Sequence, residues 1–173
     1  VYGKFTALIV DLFNRIAGGS ILDLGCYPIS LVRYLFGEPL TLNGTSTIIT
    51  PTQPNQNNYD IDSTANLSLL NDITATVVTS NNEELCWEFI ITCEYGTISL
   101  TNLWDNSIDQ TIRGVSTDSN YPSFERVVNS SQDFYVLQIN AVYETIKRGL
   151  VEFESPGMNW EDSLNNMRVL DQW

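Results

Sequence analysis

Two side chains able to exchange and orient a proton stand four residues apart, at Asp23 and Tyr27, within an otherwise apolar segment. In a continuous helix this spacing places both on one face, with Cβ atoms about 5–6 Å apart. A tyrosine near the positive end of a helix dipole can pass a proton to or from a substrate hydroxyl, while a carboxylate orients the substrate or the phenol. Spacing alone favours a plainer alternative, in which Asp23 caps a helix and Tyr27 is a boundary aromatic.

The residues around this pair predict a helix over 20–36. Gly37 then occupies the position of a residue with positive φ after a helix, and Pro39 follows as a stop. Pro28 disfavours helical geometry at Tyr27, so the helix must start at about Cys26 or kink there. Apolar side chains recur at helical spacing at Leu22, Ile29, Val32, Leu35 and Phe36.

The remaining sequence changes from strand patterns to helical ones. Residues 6–19 favour a strand or short helix that ends at a glycine pair, and 51–60 are polar and proline-rich enough to predict a loop. Alternating apolar residues predict strands over 61–69 and 73–77, and 71–102 favours three strands joined as hairpins at Asn81-Asn82 and Tyr95-Gly96. Residues 107–116 are compatible with another strand. Helices are predicted over 131–148, with one stripe of apolar residues, and from an N-cap at Asn159 toward Trp173.

This order of elements predicts an α+β fold, an open and mainly antiparallel sheet with helices packed on one face. The chain has 173 residues, 43% of them apolar, which fits a single domain over 1–173 with a real core.

The charge and composition exclude several classes of function. A formal charge of −13 argues against nucleic acid and against an anionic membrane surface as partners. No apolar run approaches the roughly 20 residues that span a bilayer. Three cysteines without a paired framework favour free thiols in a reducing, cytoplasmic setting, and the lack of histidine makes a zinc site improbable, so no metal is expected.

Three further residues have plausible roles in a site. Arg33 is six positions beyond Tyr27, off its face, and a structural salt bridge is favoured over a substrate contact. Trp104 follows a predicted strand, where it is either part of a pocket wall or, as favoured, a boundary aromatic. Cys26 adjoins Tyr27, but thiol catalysis would need a neighbouring base or cation that the sequence does not show.

The stretch "GGSILDLGCYPISLVRYLFGEP" resembles the opening of the C-terminal domain of the Gfo/Idh/MocA oxidoreductases, the glucose–fructose oxidoreductase and inositol dehydrogenase family. Its Asp23-Leu24-Gly25-Cys26-Tyr27 is similar to that family's Asp-x-Gly-x-Tyr motif, the form of the dihydrodiol dehydrogenase, xylose dehydrogenase and glucose–fructose oxidoreductase branch. The segment from Phe134 to Trp173 resembles the family's closing helix, Ser-Pro loop and final helix. The two end motifs are fairly specific, and the strand-rich middle is generic.

The resemblance implies a substrate-binding and oligomerisation domain of the glucose–fructose oxidoreductase type. Tyr27 would be the proton donor or acceptor, Asp23 would contact the substrate, and Arg33 and Trp104 would be weaker candidates for substrate contacts. The reaction would be hydride transfer between NAD or NADP and a sugar, polyol or cyclic diol, and the open sheet face would form a homo-oligomer.

The family's N-terminal half, with its Gly-x-Gly-x-x-Gly loop after a strand, is absent from this sequence. We therefore expect this chain to be inactive by itself. The alternatives are a non-catalytic dimerisation or sugar-binding module that retains the fold, and an acidic β-rich carbohydrate-binding module, which leaves the terminal helices unexplained.

Overall fold

The computed structural model describes residues 18–50, 57–85, 88–101, 103–104, 109–129 and 132–173. Contacts within the chain divide it into two compact units. The first unit comprises Val1–Leu85 with Met158–Trp173, and the second comprises Cys86–Gly157. The expected element over 6–17 and most of the expected loop, 51–56, lie outside the described residues. The last two residues predicted for that loop, Tyr59 and Asp60, instead begin a strand.

Helices and strands follow one another in the predicted order. The helices are α1 (Ser20–Leu24), α2 (Cys26–Phe36), α3 (Phe134–Lys147) and α4 (Trp160–Leu170). The strands are β1 (Thr41–Ile49), β2 (Tyr59–Ser68), β3 (Thr74–Ser80), β4 (Glu88–Cys93), β5 (Gly96–Thr101), β6 (Asp109–Ser116) and β7 (Phe124–Asn129). None of the helices in the described part of the chain combines the length and apolar composition needed to cross a bilayer.

The first unit packs α1, α2 and α4 on one face of an antiparallel sheet with the order β1-β2-β3. Alternate residues of β2 and β3 point into this layer, so the predicted two-residue periodicity is confirmed. The face toward the helices is apolar over most of its area. Its core consists of Ile29, Val32, Ala65, Leu67, Leu69, Val77, Val169 and Leu170.

Helix α4 begins as the sequence predicts. The side chain of Asn159 accepts a hydrogen bond from the backbone N–H of Asp162, at 2.8 Å, and the Asp162 carboxylate accepts one from the N–H of Asn159. This reciprocal arrangement satisfies two N–H groups that the helix itself leaves without partners.

The second unit contains an antiparallel sheet with the order β4-β5-β6-β7, followed by α3. The predicted hairpin at Tyr95-Gly96 joins β4 and β5, and the predicted strand over 107–116 is β6. Strand β7 was not anticipated. Helix α3 forms as expected, but Leu137, Val142 and Ile146 of its apolar stripe are exposed to solvent.

The hairpin predicted at Asn81-Asn82 is wrong. Strand β3 pairs with β2, and β4 pairs with β5 in the other sheet. The hydroxyl of Ser80 accepts hydrogen bonds from the N–H groups of Asn82 and Glu83, at 3.0 and 2.7 Å, and so ends β3 with a local turn. The predicted α+β class with antiparallel pairing is confirmed. The described strands form two antiparallel sheets where one was predicted, and α1, α2 and α4 pack on one face of the first sheet.

Candidate functional site

The two predicted catalytic side chains lie on the helix pair α1–α2, whose start is held by a carboxylate from the sheet. Gly19, the N-cap residue, has no side chain with which to cap α1. Oδ2 of Asp60 in β2 accepts hydrogen bonds from the N–H of Ile21, at 2.8 Å, and from the hydroxyl of Ser20, at 2.7 Å. Asp60 therefore does the work of an N-cap side chain from a distant position in the sequence.

The glycine before this helix is required by geometry. Gly19 has φ = 121°, a conformation that side chains rarely adopt, and a Cβ atom there would overlap the carboxylate of Asp60. Its backbone also forms a bridge with Asp60. The second glycine of the Gly-Gly lead thus allows the sheet carboxylate to reach the helix end.

A cluster of buried hydroxyls surrounds this anchor. Ser20, Ser63 and Thr79 are each buried, and Oγ of Ser20 lies 3.2 Å from that of Ser63 and 3.0 Å from Oγ1 of Thr79. Neither this cluster nor Asp60 was predicted from the sequence. The available signal was that Ser63 and Thr79 are in phase with the buried apolar residues of their strands, so that hydroxyls occupy core positions.

Helices α1 and α2 meet at Gly25, which keeps nearly helical dihedral angles of −64° and −24°. The expected break near Cys26 is therefore confirmed as an interruption without a sharp change of backbone conformation. A Cβ at Gly25 would lie 2.9 Å from the Trp173 ring and 3.1 Å from Leu170. Pro28 falls in the first turn of α2, where its missing N–H is tolerated.

Asp23 and Tyr27 are both accessible to solvent. Tyr27 is 54% exposed to solvent, while Ile29, two residues later, is fully buried in the core. Asp23 is exposed near the end of α1. Asp60 caps α1, and α2, whose N-cap residue is Gly25, has no side-chain cap, so the capping alternative for Asp23 is wrong. The helix pair therefore presents a phenol and a carboxylate from a firmly packed support.

Arg33 is largely buried and points to α4 and to Glu38. Its Nη2 and Nε donate to the Glu38 carboxylate at 2.6 and 2.9 Å, and its Nη1 donates to the carbonyl of Asp162 at 2.8 Å. Hydrogen bonding to the guanidinium lowers the pKa of Glu38. These contacts favour the structural salt bridge over the substrate contact among the two roles considered for Arg33.

Cys26 and Trp104 add little to the site. Burial, and then the negative charge of Asp23, raise the pKa of the Cys26 thiol, which opposes formation of a nucleophilic thiolate. Trp104 lies after β5 in the second unit and is partly exposed, and its neighbour Asp105 lies outside the described residues. Its role as a substrate contact stays a prediction.

Two grooves of the first unit are lined by its described residues, and neither lining includes Asp23 or Tyr27. The larger, of about 330 Å³, crosses the sheet and is lined mostly by hydroxyls, with carboxylates from Asp62 and Glu83 and no lysine or arginine. The smaller, of about 180 Å³, lies between the end of α4 and Glu38. Within the described ranges, no group of three or more Cys, Asp or Glu side chains is arranged to hold a metal ion.

A family model decides the classification. Residues 12–99, about half of the chain and including the Asp23–Tyr27 motif, match the GFO/IDH/MocA C-terminal domain. The chain belongs to this family. The resemblance seen in the sequence is thereby confirmed at the family level, whereas the dihydrodiol dehydrogenase branch stays a prediction. No curated protein matches the chain in sequence.

Solved structures share the fold of this GFO/IDH/MocA chain. An aldose-aldose oxidoreductase from Caulobacter crescentus, complexed with glycerol, superposes with a TM-score of 0.71 at 21% identity, over 92% of this chain and 46% of that one. KijD10, a 3-ketoreductase from Actinomadura kijaniata in complex with TDP-benzene and NADP, gives 0.70 at 17% identity, over 91% and 46%. An NAD binding oxidoreductase from Klebsiella pneumoniae gives 0.64 at 13%, over 90% and 47%. The chain spans about half the length of these proteins.

Proposed function

We propose that this chain is the C-terminal, substrate-binding and acid–base domain of an NAD(P)-dependent oxidoreductase that acts on a sugar, polyol or cyclic diol. One observation carries the proposal. Within the Asp-x-Gly-x-Tyr motif, Tyr27 is half-exposed and follows an exposed Asp23 by four residues, on a helix pair that the core and the Asp60 anchor hold in place.

The proposal gives the two side chains different tasks. Oxidation of a secondary alcohol removes a proton from the hydroxyl and a hydride from the carbon, and a phenol in hydrogen-bonding range can exchange that proton. Tyr27 is the group of this chain that would exchange it. Asp23, a carboxylate on the preceding turn, would accept hydrogen bonds from neighbouring substrate hydroxyls and so orient the carbon that reacts.

The larger groove does not fit the pyrophosphate of a dinucleotide. A pyrophosphate needs helix N-termini, glycine-rich backbone or basic side chains, whereas the larger groove carries Asp62 and Glu83 and no basic lining. We propose that an N-terminal Rossmann domain outside this chain binds NAD or NADP. The nicotinamide would supply the hydride chemistry from that domain.

The related structures support the type of substrate. The Caulobacter enzyme is an aldose-aldose oxidoreductase with bound glycerol, and KijD10 is a 3-ketoreductase with bound TDP-benzene and NADP. Each name describes redox chemistry, and the first names aldoses. A polyhydroxylated substrate also suits an exposed carboxylate, which can accept from two adjacent hydroxyls.

The test is Tyr27→Phe in the full-length protein that contains this chain. Turnover would be measured with NAD and NADP against a panel of aldoses, polyols and cyclic diols. We expect kcat to fall by roughly 100-fold or more, because the phenylalanine keeps the ring and loses the proton-exchanging hydroxyl. The midpoint of thermal unfolding should change little, since Tyr27 is half-exposed and phenylalanine keeps its ring.

Tyr34→Phe is the matched control, because Tyr34 is also an exposed tyrosine of α2 and belongs to no part of the proposed site. Its turnover should equal that of the wild type. If Tyr27→Phe also keeps full turnover, the acid–base assignment is refuted, and the alternative of a domain retained for dimerisation or sugar binding takes its place.

A further inference from the structure

An asparagine of α4 contacts the peptide bond that leads into Tyr27. Asn166 is only 4% exposed, and its Nδ2 donates a hydrogen bond to the carbonyl oxygen of Cys26 at 3.2 Å. That carbonyl and the N–H of Tyr27 belong to the same planar peptide unit. The bond therefore fixes the plane from which the Cα of Tyr27 continues.

The positive charge of Arg33 sets the orientation of the Asn166 amide. Its Oδ1 faces Nη1 of Arg33, at 3.4 Å, and Nη1 also donates to the carbonyl of Asp162 in the first turn of α4. A guanidinium can only donate and a carbonyl can only accept, so the amide oxygen must face Arg33 and the amide nitrogen must face Cys26. Glu38 in turn holds Arg33 through two hydrogen bonds.

Packing alone would not select asparagine at this position. Asn166 lies on the buried side of α4 with Val169 and Leu170, where an apolar residue of similar size would fill the space. A buried amide costs free energy unless its polar atoms are hydrogen-bonded, and here both ends have partners. The hydrogen-bonding geometry is thus the property that distinguishes asparagine from leucine at this site.

The first turn of α2 has few backbone hydrogen bonds of its own. The first four N–H groups of a helix have no acceptor within that helix, and Pro28, in this turn, has no N–H at all. The hydrogen bond from Asn166 reaches the chain within this turn.

We infer that Asn166, oriented by Arg33, is a positioning residue for the phenol of Tyr27. It acts through the Cys26–Tyr27 peptide and sets the direction in which the tyrosine side chain leaves the helix. This inference rests on the proposed function, because it assumes that the Tyr27 hydroxyl exchanges a proton with the substrate. A displacement of the phenol by about 1 Å is enough to slow such a step strongly.

The decisive variant is Asn166→Asp in the full-length protein. Aspartate has the same shape and still accepts from Arg33, but it cannot donate to the Cys26 carbonyl. We expect kcat to fall about tenfold while KM changes less than about twofold, because proton exchange is impaired more than binding. Asn66→Asp is the control, since Asn66 is exposed and its Oδ1 accepts from Thr76, which aspartate also does. That control should retain full turnover.

A second comparison separates positioning from general stability. In a Tyr27→Phe background the phenol is already absent, so Asn166→Asp should lower kcat by less than about twofold further. If the losses instead multiply, or if Asn166→Asp keeps full turnover while Tyr27→Phe does not, the positioning role is refuted and the proposed function stands. If Tyr27→Phe itself keeps turnover, the proposed function fails, and this inference fails with it.

Thermal unfolding would be measured on every variant. Should the aspartate variant be unfolded at the assay temperature, Asn166→Ser removes the amide donor without adding a charge, and the same kinetic comparison applies to it. If neither variant folds, Asn166 is a requirement of folding and the positioning role is refuted.

Discussion

At the scale of single residues, the most informative charge is Arg33. It is 8% exposed, and a buried cation is tolerated only where its donors are matched by acceptors. Glu38 supplies the negative charge, while α4 supplies two oxygen acceptors, from Asp162 and Asn166. Arg33 thus connects α2, the helix that carries Tyr27, to α4.

This ion pair predicts a pH dependence of stability. The pKa of Glu38 is lowered from 4.5 by the hydrogen bond from Arg33. The contribution of ionised Glu38 to the stability of the fold is therefore present above pH 4.5 and is lost as the pH falls through the lower folded-state pKa. Glu38→Gln should lower the thermal unfolding midpoint of the full-length protein at pH 7. The corresponding loss in the free energy of unfolding should be about 1 kcal/mol or less, because Glu38 is half-exposed.

At about pH 3 the difference between this variant and the wild type should shrink. Glu154→Gln is the control, since it removes an ion pair with Arg148 in which both side chains are exposed, and its effect at pH 7 should be smaller. An equal effect of Glu38→Gln at both pH values would contradict the assigned pair.

At the scale of elements, the helix pair is fastened to the rest of the first unit at the start of each helix. Asp60 of β2 caps the start of α1, and Asn166 of α4 contacts the start of α2. Beyond these anchors the buried side of α2 contributes Ile29 and Val32 to the core. The exposed side of the pair can thus be held still while it presents Asp23 and Tyr27.

The first anchor predicts a strong effect at Gly19. Gly19→Ala places a Cβ against the Asp60 carboxylate and also forces alanine into φ = 121°, so we expect a loss of about 2–5 kcal/mol in the free energy of unfolding. Gly149→Ala is the matched control, because Gly149 also has positive φ but nothing lies within 4 Å of the added Cβ. It should cost only about 1 kcal/mol. Chemical denaturation measures both, and equal losses would show that Asp60 does not press on Gly19.

At the scale of the whole molecule, the chain covers 46% of the Caulobacter relative, and its larger groove carries carboxylates and no basic side chain. The proposed function therefore predicts that turnover needs a second domain that binds the dinucleotide. Self-association through the open sheet face also stays a prediction, which sedimentation of the full-length protein would test.

Residues 1–173 expressed alone should show no turnover with NAD or NADP and any sugar or diol of the panel, while the full-length protein does. Absorbance of the reduced nicotinamide measures both, with circular dichroism to establish that the isolated chain is folded. Turnover by the folded isolated chain would refute the proposed division of labour.

The amino-acid sequence by itself was sufficient for features that depend on near neighbours. Local spacing and local chemistry predict four such features: strands β2 and β3, the interrupted helix before Gly37, the Asn159 cap and the family motif around Tyr27. A side chain four residues along a helix or two along a strand occupies a position that backbone geometry dictates.

Only the tertiary structure decided which distant groups meet. Three examples join residues far apart along the chain. Asp60 caps α1, Asn166 donates a hydrogen bond to the Cys26 carbonyl, and β3 pairs with β2. The exposure of the apolar stripe of α3 could not be predicted from the sequence either. An apolar periodicity shows that a helix has an apolar side but not what packs against that side. Contacts of this kind depend on how whole elements are placed, and no local pattern of residues encodes that placement.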